Sequence, residues 1–167
     1  MNTEFVSRRS FASRFAALVS GVGIAPILGP ARANAQKSGP VRKLDYDAKP
    51  TDGTQMITPL ILHGNLIYIA GQGAHSREKG DFPMDIETHT TKVMDSVKKL
   101  VEAGGGTMDS ILQLTVFLTN IDNYDGMNKV FKTYFPRGGP ARTCVAVAAL
   151  PGQSLVEVNC IAAVTHK

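Results

Sequence analysis

Apolar and polar positions change their period repeatedly between Ile57 and Val164, and each change marks an element. Ile57 to Leu62 and Leu66 to Ala70 are short apolar runs separated by His63-Gly64-Asn65, the pattern of two strands joined by a turn. Gly71 to Pro83 is rich in glycine and charge and reads as a loop. Ile86, Thr90, Val93, Val97, Leu100 and Val101 then recur at helical spacing, with Asp85 placed to cap the helix and Gly104-Gly105-Gly106 to stop it. Ile111 to Leu118 is apolar and β-branched enough for a strand, ended by Thr119-Asn120. Tyr124, Met127, Val130, Phe131, Tyr134 and Phe135 return to helical spacing up to Pro136. Their aromatic rings fit core packing against a sheet better than stacking on a cofactor. Ala141 to Ala148 and Leu155 to Val164 follow as two strands around Leu150-Pro151-Gly152.

Two strands, a helix, a strand, a helix and two strands predict an α+β layer, a single sheet with both helices on one face. Read as a hairpin, the last two strands place Val145 and Val147 with Val156, Val158 and Cys160 on the helix-facing side. Arg142, Cys144, Ala146 and Ala148 then share the other side with Leu155, Glu157, Asn159 and Ile161. An arginine and a glutamate within such strands call for each other, as a cross-strand ion pair, or for a ligand. The same alternation puts Cys144 and Cys160 on opposite faces of the hairpin, so no disulfide between them is expected.

The amino-terminal residues follow no such pattern. Ser7-Arg8-Arg9-Ser10-Phe11, an apolar run from Phe15 to Leu28 and Ala33-Asn34-Ala35 are the three parts of a twin-arginine export signal, predicted over residues 1–35. The apolar run falls short of the about 20 residues a membrane-spanning helix needs. No cysteine precedes Cys144 to carry a lipid, so the expected product is a periplasmic protein without stable membrane association. Residues 36–50 are polar and read as a flexible tether, leaving one domain over 51–167. The chain's formal charge of +4 resides mostly in the signal, which holds Arg8, Arg9, Arg14 and Arg32 against Glu4. What remains is nearly balanced and lacks the basic footprint of a nucleic-acid-binding protein. His63, His75, His89 and His166 lack metal-ligand spacing and are expected at the surface or in local hydrogen bonds. Gly71-Gln72-Gly73 alone is no nucleotide loop.

Thr115-Val116-Phe117-Leu118, Asn128, Tyr134-Phe135, Gly139-Pro140-Ala141-Arg142-Thr143-Cys144-Val145, Leu150-Pro151 and Val156-Glu157-Val158 resemble, in order and spacing, the signature of the YjgF/Rid (reactive intermediate deaminase) family. The likeness runs from about Thr54 to Val164. It implies a chorismate-mutase-like subunit, a single mixed sheet with two helices on one face, assembled as a homotrimeric barrel with ligand clefts between subunits. It further implies hydrolytic deamination of small 2-imino or 2-enamino acids to 2-oxo acids and ammonia, without metal or organic cofactor.

In that resemblance Arg142 holds the substrate carboxylate, Glu157 positions the hydrolytic water, and Cys144 contributes its main chain to the same cleft. Gly71 and Asn128 are similar to residues bounding the pocket. The chemistry suits these types: a guanidinium grips a carboxylate through two parallel hydrogen bonds, and water attack on C=N needs a group that moves protons. The sequence departs from the family pattern at Ile57, where a tyrosine is common, and at Ala70-Gly71-Gln72, where Ser-Gly-Gln is common. Glu87, His89 and Lys92 replace the usual glutamines of the first helix. The other readings are a non-catalytic trimer that binds small carboxylates or acts as a holdase, and the ribonuclease activity of some relatives. The partners implied are thus a small carboxylate-bearing substrate, two further copies of the chain and the twin-arginine translocon.

Overall fold

The computed structural model describes residues 39–74 and 85–165. The export signal predicted over residues 1–35, and with it the cleavage point, lies outside the described residues, as does most of the loop expected up to Pro83. Six strands form one mixed sheet: β1 (Arg42–Leu44), β2 (Leu60–His63), β3 (Leu66–Gly73), β4 (Ile111–Leu118), β5 (Ala141–Ala146) and β6 (Val156–Ala163), in the spatial order β1-β2-β3-β6-β4-β5. Helices α1 (Ile86–Ala103) and α2 (Tyr124–Tyr134) supply the second layer, which is the α+β architecture expected.

The local signals act as anticipated in most elements. Asp85 caps α1 by accepting from the Thr88 amide at 2.8 Å, a bond that lowers the Asp85 pKa from its usual value. Val93, Met94, Val97, Leu100 and Val101 are all buried along one stripe of that helix, facing β3 and β6. The Gly104 amide closes the last turn on Leu100 O. Gly64, at φ +60°, opens the two-residue turn between β2 and β3, whose His63 and Leu66 pair.

Two expectations change. The presumed tether carries β1: Arg42 to Leu44 pair with Leu62 to Leu60, Leu44 is buried, and Asp45 Oδ1 ties the Asp47 and Lys49 amides into a turn. The final two strands are not a hairpin. β5 runs parallel to β4 after a crossover through α2, and β6 inserts antiparallel between β3 and β4.

That topology inverts the faces expected for β5. Residues paired across neighbouring strands point to the same side of a sheet. Arg142 pairs with Leu114 and Cys144 with Val116, both fully buried, so Arg142 and Cys144 face the helices. Val145 pairs with Phe117, which also pairs with Glu157, and these occupy the face opposite the helices. The reading of β6 holds, with Val156, Val158, Cys160 and Ala162 buried on the helix side. Cys160 therefore shares its face with Cys144, contrary to expectation, but β4 lies between them and both are free thiols.

The face opposite the helices is uncovered in the protomer. Tyr68, Gln113, Thr115, Asn159 and Ile161 line a shallow depression there, about 230 Å³ in volume.

Candidate functional site

The β4-α2-β5 crossover sets α2 over the outer edge of the sheet. Tyr124, Asn128 and Phe131 follow one another at i, i+4 and i+7 on α2, a single helical stripe. The Arg142 guanidinium lies against it. Its Nη1 donates to Asn128 Oδ1 at 2.8 Å and approaches Met127 Sδ at 3.9 Å, and Nη2 donates to Tyr124 Oη at 3.3 Å. Cζ sits 4.6 Å from the Phe131 ring centroid and 5.8 Å from that of Tyr124, so the cation rests on aromatic faces. These contacts fix the guanidinium plane while leaving N–H groups of its five free for another acceptor.

Cys144 follows two residues later on the same face, half-buried against the core. Burial pushes its thiol pKa up and the Arg142 charge opposes this less strongly, so the sulfur stays a neutral thiol at neutral pH rather than a nucleophile. Its main chain has a different outlook. The Val147 amide donates to Leu118 O at 2.8 Å; by alternation the N–H and C=O of Val145 and Thr143 also point to β4, and those of Cys144 point out from the open edge of β5.

Glu157 and Gly71 form the other half of the predicted set. Between the pairs Ile69–Cys160 and Gln72–Val158, Ala70 and Gly71 together oppose Asn159, a β-bulge in β3. The bulge brings Gly71 under the Glu157 side chain so closely that a Cβ there would collide with the carboxylate. Gln72, buried, stiffens the bulge by donating from Nε2 to Ala70 O and Gly71 O.

The corner leading into β6 is gripped twice. Ser154 Oγ accepts from the Ala74 amide at 2.8 Å and donates to Val156 O at 2.6 Å, tying the end of β3 to the start of β6. His89, buried on α1, accepts from the Leu155 amide through Nδ1 at 3.0 Å. That bond spans distant parts of the sequence, unlike the surface or local role expected for the histidines. His75 and His166 lie outside the described residues.

The five predicted site residues thus separate into two groups, Arg142, Asn128 and Cys144 on the helix side and Glu157 with Gly71 on the opposite face. The cross-strand Arg142–Glu157 ion pair that the hairpin reading allowed does not form, because the two residues occupy opposite faces and β4 lies between their strands. Sequence reasoning missed Tyr124 and Phe131, which were assigned to the core. Phe131 is buried but also carries the guanidinium, and Tyr124 remains exposed beside it. The signal available was their spacing from Asn128 along one helix face. Among the described residues no cluster of His, Cys, Asp and Glu is arranged to hold a metal.

One mixed six-stranded sheet with two helices packed on it defines an α+β subunit, with an anchored arginine on its outer strand and a glutamate over a glycine bulge. The comparisons with known proteins narrow this further. The Endoribonuclease L-PSP family model matches residues 54–164, and the chain belongs to that family, the YjgF/Rid group. It is 32% identical over 102 residues to the 2-iminobutanoate/2-iminopropanoate deaminase of Escherichia coli K12, covering 59% of this chain and 80% of that one. The Rid family protein YyfA of Yersinia pestis superposes with a TM-score of 0.64 at 32% identity, over 75% of this chain and all of that one. E. coli TdcF, solved with bound serine, superposes with a TM-score of 0.62 at 26% identity, over 73% of this chain and 97% of TdcF.

Proposed function

We propose that the chain is a hydrolytic deaminase of small 2-imino and 2-enamino acids, working as a homotrimer in the periplasm after export by the twin-arginine route. The observation that carries this reading is the guanidinium of Arg142, oriented by Asn128 and Tyr124, resting on Phe131, and set beside the outward main chain of Cys144. Such a cation suits a carboxylate, and the adjacent strand edge can align the C=N group bonded to it. The relatives named as deaminases, and the serine held by TdcF, agree with a ligand of that size and charge.

In this mechanism Arg142 binds the carboxylate and Glu157 orients a water against the imine carbon. Glu157 accepts a proton as the C–O bond forms and returns it to nitrogen, so that ammonia leaves and a 2-oxo acid remains. An enamine enters after protonation at carbon to the imine. The reaction balances with water alone.

Arg142 and Glu157 of one protomer occupy opposite faces of the sheet, so one small ligand is reached by both only if each comes from a different subunit. A threefold head-to-tail contact supplies this arrangement, setting the β5 edge of one protomer against the open face of the next. It also covers that face and its free strand edge.

The purified protein, given imines generated in situ by an amino-acid oxidase, should remove them faster than a protein-free control. Arg142→Ala should lose binding and turnover together, and Glu157→Gln should keep binding and lose about 10²–10⁴-fold in rate. Random mixed trimers of the two variants should regain about a quarter of the sites, since an intact Arg142 then meets an intact Glu157 across the interface. Light scattering that gives a monomer mass, or mixing without recovery, would overturn the shared-site reading. Carboxylate binding without turnover in the wild type would favour the metabolite-binding alternative.

A further inference from the structure

We propose that Tyr124 is a specificity-determining residue of this site, its hydroxyl donating a second hydrogen bond to the ligand's acid group and restricting the site to ligands with a free carboxylate next to the reacting carbon. The inference rests on Arg142 being the carboxylate anchor. Tyr124 occupies the first turn of α2, directly one turn ahead of Asn128. Its oxygen accepts from Arg142 Nη2 at 3.3 Å, and with that lone pair engaged the phenolic proton turns away from the guanidinium. Among the described residues no acceptor takes that proton, and the residue is 39% exposed, so the hydroxyl is open to an incoming ligand.

The consequence is that the two side chains aimed at the acid group, Arg142 and Tyr124, both present donors to it. The remaining guanidinium N–H groups and the Tyr124 O–H all require an acceptor, a demand met by an ionised carboxylate with its two oxygens. A carboxamide brings an NH₂ group that meets one of these donors head-on, leaving one of them unpaired. Asn128 is engaged at the other guanidinium nitrogen, its oxygen accepting from Arg142 Nη1, so Tyr124 and Asn128 brace the guanidinium from its two ends. The phenol therefore sharpens the choice of acid over amide that the arginine begins.

Calorimetric titration of the full chain with 2-oxobutanoate and with 2-oxobutanamide tests this. Tyr124→Phe should weaken the oxo acid about tenfold, the weight of one hydrogen bond to a charged group, and leave the amide unchanged. Turnover of the corresponding imine should show the same loss in KM with little change in kcat. Unchanged acid affinity in Tyr124→Phe, with a melting temperature equal to wild type, overturns the proposal, as does an equal loss for acid and amide. Arg142→Ala titrated in parallel separates the two readings: if it binds the acid as tightly as wild type, the anchor itself is wrong. A wild type that binds neither compound removes both.

Discussion

Gly71 lies directly beneath the carboxylate of Glu157, so that a side-chain carbon built on the glycine would come within 2.9 Å of Glu157 Cδ and closer still to Oε1. The bulge of β3 fixes the glycine, and the corner at Ser154 fixes the strand that carries the glutamate. The acid group is thereby held by a missing side chain as much as by any bond.

Replacing that glycine tests the arrangement. Gly71 does not adopt a left-handed φ, so Gly71→Ala should leave the backbone undisturbed and displace only the end of the Glu157 side chain. The expected result is a melting temperature within a few degrees of wild type and turnover lowered at least about tenfold. In a Glu157→Gln background the same change should cost much less, and full additivity in the double-mutant cycle would refute the coupling.

His89 should matter through Leu155. His89→Leu leaves the Leu155 amide without its acceptor at a place where water enters poorly, a loss of about 1–3 kcal/mol. His89→Gln retains an acceptor on a side chain of similar reach and should recover part of it. Urea unfolding of the three proteins checks this, and equal stability of the leucine and glutamine variants would show that the bond carries no weight.

Alkaline pH should weaken the fold through Cys160. Burial raises its thiol pKa from 9.0 to about 12. The folded state therefore keeps a proton that the unfolded chain gives up, and stability present below pH 9 is lost as pH climbs toward 12. Tyr134, raised by burial and by its hydrogen bond to Asp95, acts in the same direction from 10.0 upward. Cys160→Ala should lower stability at pH 7 and flatten the decline between pH 9 and 11. A decline of unchanged steepness would assign it to other groups.

Much of this architecture was legible in the sequence because burial on one face imposes a period. Both helices and the strands β4 and β6 were located from that period alone. β5 misled because its apolar residue Val145 points to the uncovered face while Arg142 points to the helices. A strand's alternation records two faces but does not say which one the helices cover, and pairing with β4 rather than β6 depends on the crossover through α2. β1 escaped notice because only Leu44 of its three residues is buried. The division of Arg142 and Glu157 between two faces follows from that pairing, which no single strand's alternation reveals. The contact of Gly71 with Glu157 depends on a bulge, which leaves no periodic trace.

The proposed export route turns on Arg8 and Arg9. Replacing Arg8 and Arg9 by lysine should hold the precursor inside the cell, since the twin-arginine receptor reads the pair itself. Fractionation followed by immunoblotting checks the outcome, and unchanged arrival in the periplasm would mean that the signal is read in another way.

β6 joins β3 to β4 at the centre of the sheet, yet its residues 156–163 come after those of every other strand. Until they emerge from the ribosome, β1-β2-β3 and β4-β5 are two separate fragments, each with one uncovered central edge and half of a core. Synthesis therefore delivers a chain that closes in one late step, and its unfinished edges are exposed to aggregation for most of that time. A nonsense codon just before Val156 should then yield no smaller, working version of the protein, only an insoluble one.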